Sequence, residues 1–311
     1  MTLYLVTGGA GFIGSHIVEE LVARGSRVRV LDDFSTGRRS NLGPWLDRIE
    51  LIEADIRDIA AVRAAMAGVT FVLHQAALPS VPRSVQDPVT SNEVNVTGTV
   101  NVLWAAKEAG VKRVVYAASS SCYGNVKVDV KHEGLKPEPA SPYAVSKLAG
   151  EHYCRAFHDV YGLETVALRY FNVFGPRQDP DSPYAAVIPL FITRMLRGAA
   201  PVINGDGTQT RDFTYVKNVA NANLLACAAP SAAAGQSMNV ACGTRHSLLT
   251  LVEGINALLG TRIAPEFGPA RPGDVMHSCA DISLAKRLIG YEPGLPFEHG
   301  LAETINSLRA G

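Results

Sequence analysis

The sequence lacks the cysteine pattern of a disulfide-bonded or zinc-binding protein. Its five cysteines are odd in number, widely separated and never arranged as a CxxC pair. Closely spaced cysteines mark structural zinc sites and small disulfide frameworks, so both classes are disfavoured. We therefore expect a protein of a reducing compartment, without a bound metal.

Long apolar runs and an excess of charge of one sign are absent as well. The chain has no uninterrupted apolar run of about eighteen residues, and its first residues carry no basic or apolar leader. Lys plus Arg and Asp plus Glu are equal at 29 each, so no net field attracts nucleic acid or an anionic membrane. We expect a cytoplasmic protein with neither of these partners.

A glycine-rich turn, TGGAGFIG at residues 7–14, is the most informative stretch of the chain. It lies between an apolar run at 3–6 and apolar residues at helical spacing from residue 17, which predicts a strand, a turn and a helix. Glycines permit a tight turn and let the backbone approach a pyrophosphate at the helix N-terminus. The pattern predicts a dinucleotide site, although a glycine-rich connection without a ligand would have the same local sequence.

An acidic residue follows the second predicted strand. Asp32 stands about twenty residues beyond the glycines, where a carboxylate accepts hydrogen bonds from an adenosine ribose 2′-OH. The same carboxylate repels the 2′-phosphate of NADP, so NAD is the expected cofactor. Arg38 and Arg39, a few residues later, are the opposing observation.

Strand-like and helix-like segments alternate through the first half of the chain. Predicted strands lie at 3–6, 28–31, 49–53, 69–74, 111–117 and 163–170. This alternation is typical of an α/β fold, here a Rossmann-type doubly wound parallel sheet. We expect residues 1–173 to form the NAD-binding domain, with the chain returning to it at about 214–241 through a strand at 238–240. Residues 174–213 and 242–311 are predicted to form a smaller interleaved α+β domain for the substrate.

The remaining segments divide into helices and loops. Helices are expected at 89–109, 142–161, 188–196, 218–229 and 248–259, with a final helix at 283–288. The segments 34–44 and 78–88 are predicted to be irregular, because the first is rich in Ser, Gly and Arg and the second holds three prolines.

Two polar residues at predicted strand ends have more than one interpretation. Asp55 either accepts a hydrogen bond from an adenine amino group or caps the helix that begins near Ile59. His74 is predicted to be a packed or hydrogen-bonded histidine rather than a catalyst. The small residues at 76 and 77 would leave space for a cofactor across the sheet.

Tyr143 and Lys147 are four residues apart on a predicted helix, so their side chains share one face. The nearby ammonium and the positive nicotinamide ring of NAD+ both favour a phenolate. Such a tyrosine can take a proton from a sugar hydroxyl while hydride leaves the same carbon for NAD+. A Tyr and a Lys at this spacing are common on helices. Together with the glycine turn, Asp32 and a serine cluster one strand earlier, however, they indicate a catalytic pair.

With these motifs the chain resembles the extended short-chain dehydrogenases/reductases of the nucleotide-sugar epimerase/dehydratase family over nearly its whole length. The TGxxGxxG pattern lies at 7–14 and the YxxxK pattern at 143–147. The resemblance implies Ser119, Tyr143 and Lys147 as catalytic residues, with the Ser119 hydroxyl bridging the substrate O4 and the tyrosine. For Ser120 and Ser121 it leaves backbone capping and substrate contact open.

The resemblance also implies the residues of a tightly bound NAD. The implied set is Gly8, Gly11, Phe12, Ile13, Gly14, Asp32, Asp33, Asp55, Ile56, Gln75, Ala76, Ala77, Asn95, Ala117, Tyr143, Lys147, Tyr170 and Val173. One departure is Pro79, which stands in place of a lysine that contacts the cofactor in some family members.

A substrate set follows in the same way. It comprises Ser119, Ser120, Ser121, Asn172, Val187, Asn204, Arg211, Arg271, Asp274 and Ser278. Arg211 and Arg271 resemble the pyrophosphate-binding arginines, and Asp274 resembles the carboxylate that holds a uridine ribose. Ser278 corresponds to a position near the sugar C2, where a small residue leaves room for an N-acetyl group. The segments 74–88, 118–124 and 184–189 look most like the UDP-N-acetylglucosamine branch.

The reaction implied is epimerisation at C4 of a UDP-hexose. The family's 4,6-dehydratases and decarboxylases have an acid or acid pair after the catalytic Ser or Thr, whereas this chain has Ser120 and Ser121. Hydride would pass from C4 to NAD+, the 4-keto sugar would turn, and hydride would return to the opposite face.

Two alternatives stay open: a UDP-glucuronate 4-epimerase with Arg177 or Arg83 near the C6 carboxylate, and a non-catalytic NAD-binding sensor. A homodimer through the helices at 89–109 and 143–161 is also expected.

Overall fold

Thirteen strands are formed by the residues that the computed structural model describes, which are 2–180, 186–270 and 276–310. Their bounds are β1 Leu3–Thr7, β2 Arg27–Asp32, β3 Ile49–Glu53, β4 Phe71–His74, β5 Arg113–Ser119, β6 Glu164–Tyr170, β7 Val173–Phe174, β8 Val202–Asn204, β9 Thr210–Arg211, β10 Thr214–Tyr215, β11 Gln236–Val240, β12 His246–Ser247 and β13 Glu266–Gly268.

The described residues also form eleven α-helices. They are α1 Phe12–Ala23, α2 Ile59–Ala65, α3 Val81–Gln86, α4 Pro88–Asn92, α5 Thr99–Glu108, α6 Pro142–Tyr161, α7 Val187–Leu196, α8 Val216–Ala228, α9 Leu248–Leu259, α10 Ser283–Ile289 and α11 Phe297–Ala310.

The central sheet has seven strands in the order β3-β2-β1-β4-β5-β6-β11. All of its pairings are parallel. The predicted doubly wound sheet is therefore confirmed. The direction of winding reverses between β1 and β4, and a crevice forms outside the carboxyl ends of the strands at such a point.

Burial on both faces explains the apolar sequences of these strands. Leu5 and Val6 are adjacent in β1 and face opposite sides, yet both are fully buried. Leu5 belongs to a core with Val72, and Val6 belongs to the opposite core with Leu73. Parallel strands covered by helices on both faces have this continuous apolar character.

A third core lies outside the central sheet. It contains Phe174, Ile192, Leu251, Leu301 and other apolar residues, which come mainly from α7, α9 and α11. Three two-stranded pairings, β7 with β10, β8 with β13 and β9 with β12, accompany it.

Strand β11 brings the chain back to the central sheet beside β6, with Met238 opposite Leu168.

A buried arginine of β5 fixes the C-terminal end of helix α8, which precedes β11 in the chain. The Arg113 guanidinium donates to the carbonyl oxygens of Ala226 and Ala229, each at 2.7 Å, and pairs with Glu164 at 2.7 Å.

The prediction that 78–88 is irregular was wrong, because α3 forms within it. Pro82 lies in the first turn of α3, where its missing N–H needs no partner. The Ser80 hydroxyl accepts from the Arg83 N–H at 3.3 Å and so begins the helix. The predicted helix at 89–109 is present but not uniform, since a π-helical stretch, Glu93–Gly98, lies between α4 and α5.

Two further expectations also need correction. Residues 39–48, part of which was expected to be a loop, form a 3₁₀ helix, Arg39–Arg48. The predicted last helix at 283–288 is α10, but α11 follows it. Three apolar residues spaced by four, Phe297, Leu301 and Ile305, bury one face of α11 against the third core.

Candidate active site

A cavity of about 700 Å³ lies at the carboxyl ends of β1, β2 and β4, in the crevice expected from the strand order. It is lined by predicted cofactor residues from three strands, two helices and the turns that follow β1, β2, β3 and β4. These are Gly8, Gly11, Phe12, Ile13, Gly14, Asp32, Asp33, Asp55, Ile56, Gln75, Ala76, Ala77, Ala117, Tyr143, Lys147 and Tyr170. Asn95 and Val173 are not among its lining residues.

The glycine turn fits close packing of strand, helix and ligand. Gly8 has φ +67°, and a Cβ there would lie 2.6 Å from the Ala76 nitrogen. A Cβ on Gly14 would lie 2.1 Å from the Gly8 carbonyl oxygen. Helix α1 begins after Gly11 with no side-chain cap and no acidic residue in its first turn. Among the residues that the structure describes, no side chain caps its N-terminal N–H groups, which suits a pyrophosphate.

Asp32 is held at the rim of this cavity. It is 5% exposed, and its carboxylate accepts from the Ala10 N–H at 2.8 Å and from the Phe34 N–H at 2.9 Å. Burial raises the pKa of its carboxyl group. The two arginines that opposed NAD both have carboxylate partners, because Arg38 pairs with Asp179 and Arg39 with Glu53.

Tyr143 and Lys147 enter the cavity from the first turns of α6. Ser141 caps this helix by accepting from the Ala144 N–H at 3.2 Å. Burial raises the pKa of the Tyr143 phenol, and a hydrogen bond with Ser119 opposes that effect. The Lys147 ammonium donates to the Ala117 carbonyl at 2.9 Å, and burial lowers its pKa to about 8.

Ser119 ends β5 and begins a single 3₁₀ turn, Ser120–Tyr123. Its hydroxyl oxygen accepts from the Ser121 N–H at 3.2 Å and from the Ser121 hydroxyl at 2.9 Å. Ser119 is therefore the residue that caps this turn, and the Ser121 hydroxyl orients it. Ser120 lines the adjoining cavity.

A second cavity of about 720 Å³ adjoins the first, and Tyr143, Tyr170, Ile13 and Ala118 line both. It brings together several predicted substrate residues: Ser119, Ser120, Ser121, Asn172, Arg211 and Ser278. Val173, predicted for the cofactor, lies here as well. Lys131, which sequence reasoning missed, is a further lining residue.

Some predicted substrate residues are not brought together. Val187 and Asn204 do not line the second cavity. The Asn204 carbonyl oxygen accepts from Gln209 Nε2 at 2.7 Å. Arg271 and Asp274 lie outside the described residues, as does part of the segment 184–189.

Asn95 holds the loop after β4 against α6. Its side-chain oxygen accepts from the Leu78 N–H at 2.8 Å, and its amide group donates to the Ser146 hydroxyl at 3.1 Å. Ser146 in turn donates to the Tyr143 carbonyl at 2.8 Å. Asn95 is thus linked to the turn that carries the tyrosine.

His74 and Asp55 are both held by neighbouring side chains. His74 is buried, with its ring nitrogens 2.6 Å from the Thr7 hydroxyl and 3.0 Å from the Thr99 hydroxyl. Burial lowers its pKa to about 3, so the ring is neutral and packed, as predicted. Asp55 pairs with Arg57 at 2.6 Å. The cap of α2 is Asp58, so the capping interpretation of Asp55 was wrong.

No cluster of His, Cys, Asp and Glu side chains in the described ranges could hold a metal ion. No helix within those same ranges is long and apolar enough to cross a membrane.

Comparison with known proteins identifies the class. The model of the NAD-dependent epimerase/dehydratase family matches residues 4–241, and the chain belongs to this family. It is an NAD-dependent enzyme, and the free helix N-terminus, the glycine turn and Asp32 fit that cofactor.

Individual relatives match almost end to end. The chain is 39% identical over 310 residues to a UDP-glucose 4-epimerase of Mycolicibacterium smegmatis, covering 98% of each chain. It is 41% identical to a UDP-N-acetylglucosamine 4-epimerase of Methanobrevibacter ruminantium, solved with UDP-N-acetylmuramic acid, with a TM-score of 0.94 and coverage of 99% and 98%. A Thermus thermophilus UDP-glucose 4-epimerase, solved with NAD, is 38% identical over 100% of each chain, with a TM-score of 0.88.

Proposed function

We propose that this enzyme is a UDP-hexose 4-epimerase that interconverts UDP-glucose with UDP-galactose and accepts the N-acetylated pair. The observation that carries the proposal is the position of Tyr143, which lines both cavities and shares the second with Ser119. A sugar in the second cavity would meet its acid–base group where the two cavities join. The named activities of the three relatives support the same reaction class.

The cofactor would be held by the glycine turn, the N-terminus of α1 and Asp32. Bound NAD+ supplies a hydride acceptor that can later return the hydride to the sugar. Tyr143 takes the O4 proton and later gives it back, and the Ser119 hydroxyl bridges O4 and the phenol. The Lys147 ammonium favours the phenolate form of Tyr143. Burial keeps Tyr143 protonated in the free protein, so its activation requires the added positive charge of the oxidised cofactor.

The residues after Ser119 support epimerisation over elimination. Ser120 and Ser121 occupy the two positions, and the Ser121 hydroxyl is used to hold Ser119. Neither residue is a carboxylic acid that could protonate a leaving hydroxyl or remove a proton from C5. We therefore propose neither a 4,6-dehydratase nor a decarboxylase.

Substrate contacts are proposed from the second cavity. Arg211 would bind the diphosphate, because a guanidinium matches phosphate oxygens, and Asn172 lies beside it on the same cavity. Ser278, also on this cavity, would leave space for an N-acetyl group at C2. The roles of Arg271 and Asp274 remain predictions.

The alternative substrate, UDP-glucuronate, would need Arg177 or Arg83 beside its C6 carboxylate. Both line the first cavity rather than the second. Arg177 contacts Glu19 and His16 of α1 and lies over the Trp45 ring, so it anchors a loop to that helix. The non-catalytic sensor is disfavoured by the intact Ser119, Tyr143 and Lys147.

We also retain the domain division and the dimer as proposals. The cofactor unit would be 1–173 with 214–241, and the sugar unit would be 174–213 with 242–311. Exposed apolar residues on α4 and α6, including Val89, Val160 and Tyr161, support a homodimer through these helices. Light scattering at micromolar concentration would give a monomer mass if this is wrong.

The test of function uses the purified protein without added cofactor. It is mixed separately with UDP-galactose, UDP-N-acetylgalactosamine and UDP-glucuronate, and the anomeric protons are followed by NMR. We expect the C4 epimers of the first two. Tyr143→Phe should lower turnover by about 10²–10⁴-fold, while Tyr153→Phe, an exposed tyrosine on the same helix, should not.

Two results would contradict the proposal. Absence of any epimer even after NAD is supplied would refute a UDP-hexose 4-epimerase. Unchanged turnover in Tyr143→Phe would refute the acid–base assignment.

A further inference from the structure

Lys131 is a buried lysine on the wall of the second cavity, in the segment between β5 and α6. It is 4% exposed and lines the cavity together with Ser121 and Arg211. Its backbone is fixed on both sides, because its N–H donates to the Cys279 carbonyl at 2.9 Å and its carbonyl accepts from the Asp281 N–H at 2.9 Å. The lysine is therefore positioned by the segment that also supplies Ser278.

The Lys131 ammonium has no anionic partner within residues 2–180, 186–270 and 276–310. Its neighbours there are the Tyr123 ring, centred 5.9 Å from Nζ, the Cys122 thiol and the Arg211 guanidinium. Burial raises the pKa of Cys122 to about 12, so this thiol brings no negative charge at neutral pH. Burial and the charge of Arg211 both lower the pKa of Lys131.

Other buried cations of this protein are paired. Arg113 lies 2.7 Å from Glu164, Arg169 lies 2.7 Å from Glu151, and Lys147 donates to a carbonyl at 2.9 Å. A buried ammonium without such a partner is costly unless a ligand supplies the counter-charge. Within the described ranges, Lys131 lacks such a partner, and it lies on the cavity that we propose receives a diphosphate.

We propose that Lys131 binds an anionic group of the nucleotide sugar and thereby influences which UDP-sugars are accepted. This inference rests on the proposed function, since it assumes that a UDP-sugar occupies the second cavity. The group is either the diphosphate, which all UDP-sugars carry, or a carboxylate on the sugar. The diphosphate and the carboxylate can both bind the same ammonium. Ligands with and without a sugar carboxylate therefore distinguish the two.

The experiment measures the affinity of the NAD-loaded enzyme for UDP, UDP-galactose and UDP-glucuronate by titration calorimetry. Lys131→Met removes the charge and keeps the length of the side chain, whereas Lys131→Arg keeps the charge. Lys127→Met, an exposed lysine of the same segment, is the matched control. If the diphosphate is the partner, Lys131→Met should weaken all three ligands by about 10- to 100-fold. If a sugar carboxylate is the partner, only UDP-glucuronate should weaken.

Two further measurements separate ligand binding from a structural role. Ligand affinity of the wild type should fall, relative to Lys131→Met, as the pH rises through the lowered pKa of Lys131, because the anion binds only the ammonium form. Without nucleotide, Lys131→Met should melt no lower than the wild type, since Lys131 makes no ion pair with the described residues that the substitution could remove.

Equal affinity of the wild type and Lys131→Met for all three ligands would overturn the inference while leaving the epimerase proposal intact. Failure of the wild type to bind any of them would overturn both. If the wild type forms no epimer but binds UDP more tightly than Lys131→Met does, the proposed reaction is refuted and the role of Lys131 stands.

Discussion

Replacement of Lys147 by methionine should make the cofactor-free protein more stable, although it removes a proposed catalytic residue. Burial lowers the pKa of Lys147 from 10.5 to about 8, which corresponds to a destabilisation of about 3 kcal/mol at pH 7. The substitution leaves the Ala117 carbonyl without its 2.9 Å donor, at a cost of about 1–3 kcal/mol. Lys147→Met should therefore gain between zero and about 2 kcal/mol in free energy of unfolding.

The dependence on pH is the sharper part of this prediction. The folded-state pKa of Lys147 lies below its unfolded value, so the wild type carries the full penalty below pH 8 and loses it as the pH rises towards 10.5. Between pH 7 and about 9.5 the wild type should gain about 2 kcal/mol relative to Lys147→Met.

Urea denaturation of NAD-free protein, followed by tryptophan fluorescence, measures both quantities. The exposed Lys127→Met should behave as the wild type at either pH. A stability difference between Lys147→Met and the wild type that stays constant from pH 7 to 9.5 would refute the reasoning, as would a variant less stable by more than 2 kcal/mol at pH 7.

Two other substitutions test the packing of the cofactor side. Gly14→Ala should abolish NAD retention and lower the melting temperature, because its Cβ would lie 2.1 Å from a carbonyl oxygen of the turn, whereas Gly43→Ala, in open space, should do neither. Retained NAD in Gly14→Ala would contradict this. Glu151→Gln leaves the buried Arg169 charge uncompensated and should cost about 3–5 kcal/mol by urea denaturation. The exposed Asp159→Asn should cost under about 1 kcal/mol, and equal costs would show that burial does not matter here.

The central sheet was predictable because its inner strands are buried on both faces and its helices are amphipathic or glycine-terminated. The predicted strand 49–53 has the observed bounds, and so does the predicted helix 248–259. Short helices were harder to predict. Helix α3 depends on Ser80 as a cap and on Pro82 in its first turn, although three prolines in the segment 78–88 predict irregular chain.

The parts of the site that the sequence reasoning missed depend on contacts between distant segments. Lys131 stands in a stretch without periodicity, and it reaches the cavity because its backbone bonds to Cys279 and Asp281, about 150 residues later. Asn95 carries a predicted cofactor role, yet its amide is occupied by Leu78 and Ser146. A glycine turn or a YxxxK spacing is local and can be seen in one sequence, whereas such long-range pairings cannot.

The late return of β11 has a consequence for synthesis of this chain on the ribosome. A nascent chain that ends before residue 236 contains six of the seven sheet strands, with β6 as an unpaired edge. Such an edge is a template for pairing with other chains. The carbonyl groups of Ala226 and Ala229, which accept from Arg113, are synthesised shortly before β11. Termination before residue 236 therefore yields a fragment prone to aggregation, and the arrival of 236–240 covers the exposed edge of β6.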